Sequence, residues 1–118
     1  MKALDNFFEQ LNEQPLLIEF ADTMAVIDTH YTYSPSAFSN GDVYNAKDQN
    51  AGSCKIFAFG LINKLSVKQT LACFGSYYRD EVLKQPIGDN HANIRSFMRT
   101  GWDGVSFVTM PLTLVSKT

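Results

Sequence analysis

The sequence has little of several features that define whole classes of protein. Its only two cysteines, Cys54 and Cys73, lie in apolar stretches, which excludes a disulfide scaffold and is typical of free thiols in a reducing cytoplasm. An acidic residue, Asp5, follows soon after the first residue, whereas a secretory signal begins with a basic segment and continues with an apolar one. The longest uncharged apolar stretch, residues 104–116, is broken by Pro111 and is shorter than the about 20 residues that span a bilayer. We therefore expect neither a disulfide nor a transmembrane segment.

An excess of charge of one sign is also lacking. Lys and Arg number 10 against 12 Asp and Glu, which gives a formal net charge of −2. Such a balance provides no electrostatic attraction to nucleic acid or to an anionic membrane. Hydrophobic residues make up 45% of the chain and charged residues 19%, a composition that favours a folded domain over disorder. We expect one domain over residues 1–118.

Helical spacing of apolar residues predicts two helices at the start of the chain. The first has its apolar face at Leu4, Phe7, Phe8 and Leu11 and ends before Pro15. Pro15 is suited to the first turn of the second helix, where a missing N–H costs nothing. The apolar face of this second helix is predicted at Leu17, Phe20, Met24, Ile27 and Tyr31.

A β-hairpin is predicted over residues 36–45. Asn40-Gly41 is a strong signal for a two-residue type I′ turn, and such a turn would place Phe38 opposite Val43. Val105 and Phe107 alternate with a polar residue and predict a third, C-terminal strand.

Three more helices are predicted between the hairpin and this strand. The helix from Ser53 to Asn63 is apolar on every side, which is typical of a buried central helix. A capping box at residues 66–69 begins the next helix, which has an apolar face at Leu71, Phe74, Tyr78 and Val82 and ends at Pro86. Asp89 or Asn90 is expected to cap the last, in which Ile94, Phe97 and Met98 share a face. Gly101 should end it in the left-handed conformation, with Trp102 folded back on Phe97.

The predicted fold is therefore α+β. It has about five α-helices around a buried central helix and a small antiparallel sheet, made of the hairpin at residues 36–45 and the C-terminal strand.

Three stretches resemble a known family. They are NAKDQNAGSCKIFAF (residues 45–59), LACFGSYYR (residues 71–79) and HANIRSFM (residues 91–98), the last followed by Gly101-Trp102. Together they look like the HopJ type III effector protein family, and the similarity runs from about Phe7 to Leu114. The resemblance implies a relation to proteins that plant-pathogenic bacteria deliver into host cells. It identifies no catalytic residue.

The first residues differ from a type III export signal, which is usually disordered and rich in serine. The first serine is Ser34, and Asp5, Glu9 and Glu13 lie inside the first predicted helix. We therefore expect the protein in the bacterial cytoplasm, with secretion into a host cell as the alternative.

Cys54 is the candidate nucleophile if the protein is an enzyme, with His91 as its partner. With Ser53 as the helix N-cap, Cys54 occupies the first helical position, where the helix dipole and Lys55 favour the thiolate. With a helix that begins near Asn50, Cys54 is a buried apolar residue instead. Cys73 lies among apolar neighbours and is a weaker candidate.

The histidines each follow an aspartate by two positions, in Asp28-Thr29-His30 and Asp89-Asn90-His91. Capping explains the second pair more simply than metal binding does, and a metal site would need four ligands from distant segments. We expect no metal and no cofactor.

Two polar clusters, each ahead of an apolar helix, give the predicted binding site. Free N–H groups at two adjacent helix starts favour an anion or a polar ligand. Alternatively, capping and loop solvation explain each cluster separately. We expect a binding module for a small polar or anionic ligand or an unknown protein, with a concave site floored by Cys54. Its residues would be Asn50, Ser53, Lys55, His91, Asn93 and Arg95.

Overall fold

Six helices and five short strands make up residues 2–115, the part of the chain that the computed structural model describes, with side chains from Leu4 onwards. The helices are α1 (Lys2–Glu13), α2 (Phe20–His30), α3 (Ala51–Ile62), α4 (Val67–Ala72), a π-helix (Tyr77–Val82) and α5 (Ala92–Thr100), with 3-10 turns at Pro15–Leu17 and Gly101–Gly104. The strands are β1 (Tyr31–Tyr33), β2 (Phe38–Asn40), β3 (Val43–Asn45), β4 (Val105–Phe107) and β5 (Leu112–Leu114). The α+β class predicted from the sequence is confirmed.

The strands form two antiparallel sheets. One has the order β3-β2-β4, so the C-terminal strand extends the hairpin as predicted. The other pairs β1 with β5, Tyr31 lying opposite Leu114. This second sheet was not predicted, because both strands have three residues and lie at distant points of the chain.

The hairpin turn lies one residue later than predicted. Gly41 and Asp42 form the turn and Asn40 pairs with Val43, so Phe38 lies opposite Asn45 instead of Val43. Gly41 has φ +63° while Asn40 has a negative φ, which is the pattern of a turn with glycine first. A Cβ on Gly41 would lie 2.5 Å from Ser96 Oγ, so close packing on α5 also requires glycine here.

The first helix matches its prediction, and the second begins later. Leu4, Phe7 and Leu11 of α1 are buried. Pro15 begins only a 3-10 turn, and α2 starts at Phe20, where the Asp22 carboxylate accepts the Glu19 N–H at 2.9 Å.

The single helix predicted up to Pro86 is interrupted. Its capping box is confirmed, but α4 ends at Ala72 and a π-helix follows from Tyr77. Gly75 in between has φ +63°, and a Cβ there would lie 2.6 Å from the Phe20 backbone nitrogen. Contact with the start of α2 therefore breaks the helix.

Helix α3 contributes five consecutive buried residues, 56–60. The Phe57 ring packs against those of Phe38, Phe74 and Phe97, with centroids 6.1, 5.6 and 4.8 Å away. These contacts join α3 to β2, to the turn after α4 and to α5. That the whole fold is arranged around α3 stays a prediction.

The end of α5 differs in detail from its prediction. Gly101 has a positive φ of 61°, but its ψ of −153° lies outside the left-handed helical region. The Trp102 ring does pack edge-on against Phe97, with centroids 5.0 Å apart, and its indole N–H donates to the Leu65 carbonyl at 2.9 Å.

Candidate functional site

Helix α3 begins at Ala51, which matches the alternative start near Asn50 and not the start at Ser53. Asn50 is the N-cap in the left-handed conformation, with φ 53° and ψ 50°, and its side chain does not cap the helix. Its Nδ2 instead donates to Asn45 Oδ1 at 2.7 Å. The first intrahelical bond runs from the Cys54 N–H to the Asn50 carbonyl, at 3.0 Å. The N–H groups before Cys54 therefore have no partner within the helix.

Helix α5 begins in the same manner. His91 is its N-cap, with φ 53° and ψ 51° and no side-chain cap, so neither Asp89 nor Asn90 has the predicted role. His91 Nε2 lies 2.7 Å from Glu81 Oε1 on the π-helix. The Arg95 N–H makes the first intrahelical bond, at 3.1 Å to the His91 carbonyl.

A network of asparagines ties these two helix starts together. Asn45 Oδ1 accepts from Asn50 Nδ2 at 2.7 Å and from Asn93 Nδ2 at 2.9 Å. Asn40 Nδ2 donates to the Asn93 carbonyl at 2.8 Å. Asn40, Asn45 and Asn93 are buried, where unmade hydrogen bonds cost most. The hairpin thereby holds the start of α5 beside the loop that leads into α3.

The two starts line one cavity of about 340 Å³, called here the α3–α5 cavity. Aromatic rings form part of its wall: Tyr77 lies 5.3 Å from Phe20 and 5.3 Å from His91 between ring centroids. Phe20 also covers Gly52, since a Cβ there would lie 2.6 Å from the ring. The cavity is lined by Phe20, Val43, Asn50, Gly52, Ser53, Phe74, Tyr77, His91, Ala92, Asn93 and Ile94.

Four of the six predicted binding residues lie in this lining: Asn50, Ser53, His91 and Asn93. Lys55 points elsewhere, with Nζ 2.9 Å from Asp28 Oδ1 and 5.0 Å from the Tyr33 ring centroid.

Arg95 does not reach the cavity either. It is 9% exposed and donates to the Asn90 carbonyl at 2.6 Å and to the Gln85 carbonyl at 2.8 Å. These bonds close the loop between the π-helix and α5. Arg95 therefore does not line the α3–α5 cavity with Asn50 and His91, which differs from the prediction, because oxygens of Gln85 and Asn90 accept its guanidinium N–H groups.

Cys54 lies within α3 and does not floor the cavity. It is 1% exposed, and its Sγ lies 3.9 Å from the Ser36 carbonyl oxygen. Burial raises the pKa of the Cys54 thiol. Burial, together with the neighbouring Cys54, raises the pKa of Tyr33 to about 12. Burial also raises the pKa of Cys73 to about 12. The first-position geometry that would favour a Cys54 thiolate is absent.

The described residues, 2–115, contain no group of three or more His, Cys, Asp or Glu side chains placed to hold a metal ion. In the same part of the chain, no helix combines the length and the hydropathy of a membrane span.

Comparison with known proteins links the chain to one family. A search of curated proteins found no match. The crystal structure of the unknown function protein VPA0580 superimposes with a TM-score of 0.94 at 51% identity, over 95% of this chain and 93% of that one. The family model described as HopJ type III effector protein matches residues 4–112. The chain belongs to the HopJ type III effector protein family, as its three motif stretches predicted.

Proposed function

We propose that this protein is a binding module for a small anion that carries a flat, apolar group, and that the α3–α5 cavity is its site. The observation that supports this most is the convergence of two polar segments, about 40 residues apart in sequence, on one cavity with aromatic walls. A cavity that combines apolar surface with a few convergent polar groups is the usual form of a small-molecule site.

The two helix starts in the cavity lining support an anion. The Asn50 and His91 side chains leave the first N–H groups of α3 and α5 uncapped, and Gly52, Ser53, Ala92 and Asn93 line the cavity. The N-terminus of a helix also carries a partial positive charge. A phosphate or carboxylate bound between the two starts would accept hydrogen bonds from their N–H groups.

The aromatic wall supports a flat group next to that anion. Tyr77 is 40% exposed, so part of this side chain is accessible to an aromatic ligand. The Phe20 and His91 rings flank Tyr77 and extend this surface towards the helix starts.

Calorimetric titration with phenyl phosphate, inorganic phosphate and phenol tests the proposal. We expect phenyl phosphate to bind most tightly, because it alone uses both parts of the cavity. Gly52→Ala should weaken this binding about tenfold, since the added methyl displaces the Phe20 ring. The control Lys64→Asn changes a residue of positive φ that does not line the cavity, and it should bind like the wild type.

Two results would contradict this function. One is the absence of saturable phenyl phosphate binding to the folded wild type. The other is binding that is the same in Gly52→Ala as in Lys64→Asn, which would place any interaction elsewhere.

We also propose that the protein works in the bacterial cytoplasm, although its family description suggests delivery into host cells. The packing of Leu4, Phe7 and Leu11 supports this, because an export signal here would have to leave the core. A translocation reporter joined to residues 1–30 should not be delivered; efficient type III delivery would favour the secreted alternative.

A further inference from the structure

A second concave surface lies on a different part of the molecule, between α1 and α4. It consists of two cavities of about 420 and 270 Å³ that share Leu11, Asn12 and Gln69. Gln69 Nε2 donates to Asn12 Oδ1 at 2.7 Å where the two meet. We call this surface the α1–α4 groove. None of the residues that line the α3–α5 cavity belongs to it.

The larger half of the groove is mostly apolar and has exposed leucines. Leu16, on the 3-10 turn after α1, is 72% exposed, and Leu83, just after the π-helix, is 47% exposed. Ala72 and Tyr78 line the surface with them. A protein partner that covers this half would remove large apolar side chains from water.

The charges along the groove all have one sign. Lys64, Lys68 and Arg79 are its charged residues, and no carboxylate lines it among the residues described, although the chain has 12 Asp and Glu. Arg79 is partly neutralised, with Nη2 2.8 Å from Glu19 Oε2. Lys64 and Lys68 are exposed and form no ion pair within residues 2–115. A cationic groove on a chain of net charge −2 is complementary to an acidic partner.

We propose that the α1–α4 groove docks an amphipathic, acidic helical segment of a partner protein. Apolar side chains on one face of that segment pack between Leu16 and Leu83, and its carboxylates meet Lys64 and Lys68. This inference is independent of the α3–α5 cavity, and either can fail without the other.

Two synthetic peptides of about five helical turns test this docking by fluorescence anisotropy. Both carry Leu at the same helical spacing, with Glu at the flanking positions in one and Lys in the other. We expect the Glu peptide to bind the full chain, and to bind about tenfold more weakly after Lys68→Glu or Leu16→Ser. Lys47→Glu and Val108→Ser are matched controls, because both residues are exposed and lie outside the groove. Both should retain wild-type affinity.

Thermal melting of each variant shows whether it has kept its fold, and exposed positions such as Lys68 and Leu16 should tolerate the change. Equal binding of the two peptides, or equal losses in groove and control variants, would overturn the proposal. So would concentration-dependent dimerisation abolished by Leu16→Ser, since the groove would then belong to a second copy of this chain.

Discussion

The start of α4 and the starts of α3 and α5 are built differently. At α4, Ser66 Oγ accepts the Gln69 N–H at 3.1 Å, and Gln69 Oε1 accepts the Ser66 N–H at 2.9 Å. At α3 and α5, Asn50 and His91 adopt the left-handed conformation, and neither side chain caps its helix. The first start is closed by its own residues, and the other two remain open.

The difference between closed and open helix starts assigns one kind of start to stability and the other to ligand binding. A closed start satisfies its N–H groups within the chain and stabilises the helix. An open start leaves those groups for a ligand, and the left-handed conformation costs a residue such as His91 roughly 1–2 kcal/mol. The asparagine network around Asn45 and Asn93 offsets this cost by bonding the two starts to the hairpin. We therefore expect loss of the Ser66–Gln69 capping box to affect stability, and changes at the open starts to affect phenyl phosphate binding.

The largest effect is expected from Phe57→Ala. Phe57 is fully buried and packs against Phe97, and this contact keeps α3 and α5 together. Its removal should lower the free energy of unfolding by about 3–5 kcal/mol and abolish phenyl phosphate binding. Urea denaturation measures the loss, and a value below about 1 kcal/mol would show that the open starts are not held by this core.

Gly41→Ala should have the next largest effect. The positive φ of Gly41 is unfavourable for alanine, and the alanine Cβ would clash with Ser96 on α5. We expect a loss of about 1–3 kcal/mol in the free energy of unfolding, measured by urea denaturation. A wild-type value would mean that the hairpin does not need its close contact with α5.

Ser66→Ala opens the closed start and should cost about 1 kcal/mol. Thermal unfolding monitored by circular dichroism measures this, with Ser106→Ala at an exposed strand position as the control. Phenyl phosphate affinity should not change. If Ser66→Ala changed the affinity for phenyl phosphate and left the melting temperature unchanged, the closed start would belong to the binding site and the comparison would be wrong.

His91→Asn should have the smallest effect on stability, because asparagine tolerates the left-handed conformation. We expect less than about 0.5 kcal/mol in the free energy of unfolding, but about tenfold weaker phenyl phosphate binding once the ring beside Tyr77 is lost. Parallel calorimetry and melting measure both quantities. Unchanged affinity would remove His91 from the site.

Features that depend on neighbouring residues in the sequence were predictable. The spacing of Leu4, Phe7 and Leu11 predicted α1, and the pair Ser66 and Gln69 predicted the capping box. The hairpin and its third strand also followed from local patterns.

Features that depend on contacts between distant parts of the chain could not be predicted from the sequence. The break at Gly75 arises where it packs against Phe20, and the hairpin turn shifts because Gly41 packs on α5. The burial of Arg95 depends on the Gln85 and Asn90 carbonyls, which no periodicity in the sequence indicates. The polar clusters before α3 and α5 predicted part of the α3–α5 cavity lining. Residues at a helix start stay at that end of the helix whatever the helix packs against.

A nuclear magnetic resonance titration of the isotope-labelled protein with phenyl phosphate tests the α3–α5 cavity most directly. It follows the backbone N–H signals of the open starts and of the closed start in one experiment. The signals of Gly52, Ser53 and Ala92 should shift and saturate together, while those of Val67 and Lys68 stay in place. Saturating shifts at α4 with none at α3 and α5, or no shifts at any of them, would contradict the account.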